Sequence, residues 1–177
     1  MIKVKFNVGF TLIEILAAVA VLGVVGTVMI GIIFSSLRGA NKSDAQIALA
    51  QNGSIALSQI SRIIRGGAGV GVGTTCSVDA EELIPLSAID IRTLEGDTVS
   101  LSCLDIPDGT IASNGASLID DTIVAATACS FSCIQADEFT KPVITASFTL
   151  KKKNASNLVE NNEQQSFQTT VSVRNIR

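Results

Sequence analysis

The sequence has no histidine, tryptophan or tyrosine. Because histidine is the commonest general base and metal ligand, its absence excludes a histidine-based catalytic triad and removes the usual ligand for a metal. The net charge is −3, and no basic run in the sequence favours nucleic-acid binding. We therefore expect no enzyme activity, no catalytic residue, no metal and no cofactor.

Carboxylate oxygens are the ligands that calcium prefers, and four aspartates fall between the apolar segments of the second half of the chain. These are Asp105, Asp108, Asp120 and Asp121. Their spacing matches no calcium-binding loop, so we interpret them as residues of solvated turns.

Proline is also scarce, and the first of the three prolines is Pro85. Before it, residues 15–34 form an uncharged apolar run that is interrupted only by Thr27. About twenty such residues are enough for a helix to cross a bilayer. Glycine is common in membrane helices, and Gly23, Gly26 and Gly31 offer small surfaces on which a second helix can pack closely.

The chain then becomes amphipathic without a stop signal. Apolar residues recur at spacings of three, four and seven, as in a helix with one buried face: Ala45, Leu49, Ala56, Leu57, Ile60, Ile63 and Ile64. We predict one helix from Thr11 to Arg65, roughly 80 Å long. The glycines of residues 66–73 end it, and we interpret them as a flexible joint, because they match no phosphate-binding loop.

Beyond the glycines, apolar residues alternate with a period of two, which is typical of strands. Ile89, Ile91 and Thr93 alternate, then Val99, Leu101 and Cys103, with a hairpin turn predicted at Glu95-Gly96-Asp97. Further strands are predicted around residues 129–134, 144–150 and 167–173, with a polar loop at 154–165. The fold class is therefore α+β, with the outer half of the helix packed on an antiparallel sheet.

Four cysteines, Cys76, Cys103, Cys129 and Cys133, all follow the apolar run. An even number in this position favours two disulfides in an oxidising compartment. On a strand, Cys129 and Cys133 lie roughly 13 Å apart, too far to bond to each other, so they pair with Cys76 and Cys103. A tight turn would instead allow Cys129–Cys133 and Cys76–Cys103. We favour the cross-paired arrangement.

Residues 9–14 read Gly-Phe-Thr-Leu-Ile-Glu and follow a short leader that carries Lys3 and Lys5 but no acid. This arrangement resembles the processing site of type IV prepilins and type II secretion pseudopilins. The resemblance implies that a prepilin peptidase cleaves between Gly9 and Phe10 and then methylates the Phe10 amine. It also implies an assembly role for Glu14, which would pair with the Phe10 amine of a neighbouring subunit.

The resemblance implies the following organisation: leader 1–9, transmembrane and assembly helix 10–37, amphipathic outer half 38–66, and a β-rich head 67–177 in a pilin fold. The sequence departs from the family pattern in two ways. The leader is unusually apolar, and the membrane helix lacks the proline that many major pilins have there. Two shorter stretches, residues 60–65 and 167–175, are similar to minor pilins of the W type and pseudopilins of the J type. They favour a minor subunit over the main shaft subunit.

The expected location is a bacterial inner membrane, with the leader cytoplasmic and the head periplasmic or extracellular. Lysine and arginine flank both sides of the apolar run, so the cysteines decide this orientation. The expected partners are other pilin or pseudopilin subunits, the peptidase/methyltransferase, an inner-membrane assembly platform and lipid. Secretion, twitching and DNA-uptake systems share these features. The alternative is a pilus-tip adhesin or another membrane-tethered binding module.

Cleavage should release a chain that begins at N-methylated Phe10, because the Gly9-Phe10 bond precedes the apolar run and leaves the anchor intact. N-terminal mass analysis of protein from its native membrane measures this directly. The competing site, signal peptidase cleavage after Ala18-Val19-Ala20, predicts a chain that begins at Val21. That result would contradict the prepilin interpretation. A bulky replacement of Gly9 should block cleavage, whereas Gly9→Ala keeps the small side chain.

Overall fold

The computed structural model describes residues 11–78, 84–137, 140–153 and 163–174, and it has the predicted α+β fold. One helix is followed by eight strands. The helix α1 is Leu12–Gly66, and the strands are β1 Gly69–Val70, β2 Ala88–Arg92, β3 Thr98–Leu104, β4 Thr110–Ser113, β5 Ala116–Ser117, β6 Val124–Ile134, β7 Val143–Lys152 and β8 Gln164–Ser172. The predicted helix bounds are therefore confirmed to within one residue at each end.

The chain divides into two units between Asn41 and Lys42, a boundary that lies within α1. In the first unit, the large apolar side chains of residues 12–37 are exposed on every side of the helix. The helix is long and apolar enough to cross a membrane. The hydroxyl of Thr27 donates to the carbonyl of Val24 at 2.8 Å, so the polar atom inside the apolar run is satisfied within the helix itself.

In the second unit, β1 to β5 form an antiparallel sheet whose spatial order follows the sequence. The predicted turn at Glu95-Gly96-Asp97 joins β2 to β3, and the amide of Thr93 donates to the carbonyl of Asp97 at 2.7 Å. A second hairpin joins β4 to β5 through Asn114 and Gly115. Both residues have positive φ, 50° and 81°, as a two-residue Asn-Gly turn requires.

Strands β6, β7 and β8 form a second antiparallel sheet. It contains the three later predicted strands, but the head has two sheets where the sequence suggested one. Single bridges join the sheet to the rest of the head, at Leu86 with Phe131, Ser77 with Ile134 and Gly109 with Ala126. The predicted loop at 154–165 is wrong at its end, because Gln164 and Gln165 already belong to β8. Residues 154–162 lie outside the described residues.

The outer half of α1 buries one stripe against the two sheets. The buried members recur every three or four residues: Ala45, Leu49, Gly53, Ala56, Ile60 and Ile64. Leu57 and Ile63, which the sequence placed in the same stripe, are only half-buried at its border. The stripe meets apolar side chains from both sheets, including Ile91, Leu101, Phe131 and Phe148.

The glycine segment after the helix is not the flexible joint that the sequence suggested. The amides of Ala68 and Gly71 donate to the carbonyls of Arg92 and Asp90, both at 2.7 Å, and β1 pairs with β2. A side chain on Gly67 would press against Ile91. These glycines therefore allow close approach to β2 and fix the end of the helix to the sheet.

Gly53 is the one helix glycine in the described chain at which an added Cβ would overlap another side chain. The Phe167 ring occupies that space and stacks on Phe148, with ring centroids 5.4 Å apart. The sequence pattern alone does not indicate this role for Gly53. A glycine in an amphipathic helix costs about 1 kcal/mol relative to alanine, so its presence there has a packing reason. Here the reason is close contact between helix and sheet.

Gly53→Ala should therefore destabilise the head by about 1–2 kcal/mol, since overpacking outweighs the gain in helix propensity. Gly66→Ala is the matched control, because Gly66 is the last residue of the helix and has open space beside it. Its free energy of unfolding should stay within about 0.5 kcal/mol of wild type. Urea unfolding of the full chain in detergent compares the two variants. Equal midpoints would contradict the role of Gly53.

Candidate assembly helix and the disulfides of the head

Glu14 lies in the first turn of α1. The helix starts after Thr11, whose carbonyl accepts from the amides of Glu14 at 3.1 Å and Ile15 at 3.3 Å. An acidic residue in this position is favoured by the positive end of the helix dipole. The structure therefore places the carboxylate where the helix begins. Gly9 and Phe10, the predicted cleavage and methylation residues, lie outside the described residues.

The surroundings of Glu14 are apolar. Leu12, Ile13 and Leu16 expose 81%, 73% and 59% of their surface, and Glu14 is exposed among them. It forms no ion pair with any residue in the described parts of the chain. A carboxylate within an apolar membrane segment costs a few kcal/mol unless a cation or donor compensates it. If this part of the helix lies in a membrane, Glu14 therefore needs a compensating cation or donor beyond those of the described residues.

The apolar half of the helix also carries glycines that no contact within the chain requires. An added Cβ at Gly23, Gly26 or Gly31 would meet nothing within 4 Å. Such positions let two helices approach closely inside an apolar environment. They contrast with Gly53, whose space is filled by a side chain of the same molecule. The inner half of the helix therefore presents small, open positions that no side chain of the described residues fills.

The structure has the favoured cross-paired disulfides. Cys76 bonds to Cys133 with Cα atoms 4.6 Å apart, and Cys103 bonds to Cys129 with Cα atoms 5.8 Å apart. Cys129 and Cys133 both lie on β6, as the strand interpretation required. Because Cys103 belongs to β3, its disulfide joins the two sheets. The other one fixes the segment before residue 78 to the end of β6.

Polar contacts hold the outer half of the helix to the head at two further points. Lys42 forms an ion pair with Glu163 at 2.9 Å, and this hydrogen bond and charge lower the pKa of the Glu163 carboxyl. Asn52 accepts from the amide of Asp120 at 2.8 Å while its own amide group donates to the carbonyl of Ala48. Neither contact was predicted from the sequence, because each depends on residues more than sixty positions apart.

The four aspartates considered as calcium ligands are exposed. The amide and the hydroxyl of Thr122 donate hydrogen bonds to the Asp120 carboxylate in the turn before β6, and these bonds lower the pKa of Asp120. Asp108 forms an ion pair with Lys151. In the described part of the chain, no three acidic or cysteine residues lie close enough together to hold a metal ion. The exposure of the four aspartates fits the interpretation as residues of solvated turns.

The sequence matches no family model, and neither curated proteins nor solved structures show a match to the chain. Function must therefore be inferred from the residues and the fold. The fold is compatible with that of a pilin, since a long apolar N-terminal helix continues onto a small antiparallel head with disulfides.

The inter-sheet disulfide should stabilise the head more clearly than the exposed ion pairs do. Replacing Cys103 and Cys129 together by alanine should cost roughly 2–4 kcal/mol, because the bond closes a loop between two sheets. The matched control is Lys151→Gln, which removes a partly exposed ion pair and should cost about 1 kcal/mol or less. Urea unfolding measures both changes. Peptide mapping without reductant should recover Cys76–Cys133 and Cys103–Cys129, and a Cys129–Cys133 peptide would contradict the structure.

Proposed function

We propose that the chain is a structural subunit, of the minor type, in a type IV pilus or a type II secretion pseudopilus. Prepilin peptidase removes residues 1–9, and the N-terminal helix then assembles with the helices of other pilin-like subunits. The observation that carries this proposal is the single helix Leu12–Gly66, which has a carboxylate in its first turn and two different surfaces along its length.

The division of the helix into two surfaces supports assembly through its inner half. Residues 12–37 expose apolar side chains all around, whereas the outer half buries a stripe within its own head. Before assembly, the lipid of a membrane surrounds the apolar side chains of residues 12–37. In a filament, the helices of neighbouring subunits surround these side chains instead, and the small residues Gly23, Gly26 and Gly31 allow the helices to pack closely.

The position of Glu14 supports a specific register between subunits. In the proposed filament, its carboxylate meets the charged amine that cleavage creates at Phe10 of the neighbouring subunit. The pair neutralises two charges in an apolar environment. Removing both groups from water costs much of the free energy that the pair gains. The pair therefore contributes mainly to the choice of one axial position between neighbouring helices, and less to the stability of the filament.

The disulfides support the proposed location of the head. Disulfides persist in the periplasm and outside the cell. The two disulfides therefore support a head on that side of the inner membrane and a leader in the cytoplasm. The proposed partners are other pilin or pseudopilin subunits, the peptidase/methyltransferase, the inner-membrane assembly platform and membrane lipid. The stretches at residues 60–65 and 167–175 support the minor type.

Glu14→Ala should leave membrane insertion and the head intact and should reduce recruitment into filaments at least about tenfold. The unpaired Phe10 amine then costs several kcal/mol in the filament, while insertion becomes slightly easier without the carboxylate. Co-purification with partner pilins, at matched membrane abundance, measures recruitment.

The matched control is Glu14→Asp, which keeps the carboxylate and should retain more recruitment than Glu14→Ala. Cleavage at Gly9-Phe10 should be unchanged in both variants. Equal recruitment of Glu14→Ala and wild type would rule out a required pairing of Glu14.

A further inference from the structure

Three arginines from two distant segments line one groove on the head. Arg62 and Arg65 lie one turn apart at the end of α1, and Arg174 follows the last strand, β8. The groove has a volume of about 510 Å³, and its lining is Ser58, Ser61, Arg62, Arg65, Gly66 and Arg174. We call it the arginine groove. Sequence reasoning missed it because the arginines meet only in the folded chain.

Specific contacts bring the two segments together. The hydroxyls of Ser61 on the helix and Thr169 on β8 are 3.4 Å apart. At the end of β8, the Lys141 ammonium donates to the carbonyl of Arg174 at 3.2 Å, which adds a fourth cation near the groove. The stretches that resemble minor pilins, residues 60–65 and 167–175, thus contribute all three arginines to the same surface.

The charges in the arginine groove are not compensated within the described parts of the chain. All three arginines are exposed, and none forms an ion pair with a described carboxylate. The negative end of the helix dipole favours Arg62 and Arg65, but it does not account for the approach of Arg174 from another element. Like charges in one groove repel, so the arrangement is favoured when an anionic group binds.

The surroundings of the groove favour a short anionic segment over a long polyanion. A neighbouring depression of about 670 Å³ shares Gly66 with the groove and is lined by Glu95 and Asp97. Those carboxylates would repel a nucleic acid or an acidic polysaccharide that extends past the arginines. Among the described residues, no aromatic side chain lines the groove, so these residues offer no surface for stacking of bases. Guanidinium groups bind carboxylates through two parallel hydrogen bonds.

We infer that the arginine groove binds a short acidic segment on the head of another subunit of the same filament. This inference rests on the proposed function, and it adds a second contact, between heads, to the contact between helices. The partner segment carries two or three aspartates or glutamates spaced to meet Arg62, Arg65 and Arg174. Contact of this kind selects which subunit lies next to this one, because charge complementarity determines specificity more than affinity.

The first test replaces Arg62, Arg65 and Arg174 by glutamine in the full chain, in its native membrane. Co-purification with partner pilins should fall at least about tenfold, because several desolvated charge pairs are lost. The matched control replaces Lys151, Lys152 and Lys153 by glutamine, which removes the same charge at the opposite end of the three-stranded sheet. The control should stay within about twofold of wild type, since these half-buried lysines lie away from the arginine groove.

Thermal unfolding checks that the heads of both triple variants remain folded. If the triple arginine variant does not fold, Arg174→Gln alone replaces it in the test, because that change leaves the helix sequence unaltered. That variant should reduce recruitment about threefold or more. Normal recruitment of a folded triple variant would overturn the inference. If Glu14→Ala abolishes recruitment while the triple variant does not, the proposed function stands and the arginine groove has no role in assembly.

A photoreactive residue in place of Ser58 identifies what lies in the arginine groove. Ser58 is exposed and lines the groove without being one of the cations. After irradiation of cells, the cross-linked peptide should come from an acidic segment of another subunit that is synthesised with a prepilin leader. Reversing the charge of Arg65 alone should reduce recruitment. Reversing the charge of the partner's acidic segment in the same cells should then restore it. Cross-links to nucleic acid or polysaccharide alone, or to a segment without acidic residues, would overturn the inference.

Discussion

The close contact between the outer half of α1 and the two sheets determines where the other parts of the head lie. Small residues at Ala45, Gly53 and Ala56 let the helix approach the sheets, and the Phe167 ring fills the space beside Gly53. This approach puts Ser61 beside Thr169 and Asn52 beside the turn at Asp120. The end of the helix therefore lies next to the end of β8, and the arginine groove forms between them.

The same helix has a second, different surface before residue 38. There the large apolar side chains are exposed, and Gly23, Gly26 and Gly31 face open space. A soluble helix with this surface would aggregate, so it needs lipid or other apolar helices. The helix thus combines one half that is buried in its own head with one half whose apolar surface is exposed. That combination supports the proposed filament subunit.

Much of this fold follows from the sequence because the signals are local. The 3.6-residue period over residues 45–64 predicts the buried stripe, and the alternation at residues 89–103 predicts β2, β3 and their turn. The short strands β4 and β5 were not predicted, although Asn114-Gly115 is a strong hairpin signal. The spacing of Cys129 and Cys133 favoured the cross-paired disulfides once they were placed on a strand.

The features that the sequence did not show depend on long-range packing. Gly53 looks like a defect of an amphipathic helix until Phe167, more than a hundred residues later, is seen to lie against it. The glycines of residues 66–73 suggested flexibility, but their lack of side chains lets the backbone pair with β2. Arg174 joins Arg62 and Arg65 only after β8 has packed beside the helix. Local periodicity carries no information about these contacts.

In the proposed filament, the helix assembles by pairing Glu14 with the amine of a neighbouring Phe10. Cryo-electron microscopy of native filaments that contain this chain would show this pair. The Glu14 carboxylate of one subunit should lie within ion-pair distance, about 4 Å, of the Phe10 amine of the adjoining subunit. Filaments in which Glu14 faces away from every subunit amine, with the chain held by its head alone, would contradict it.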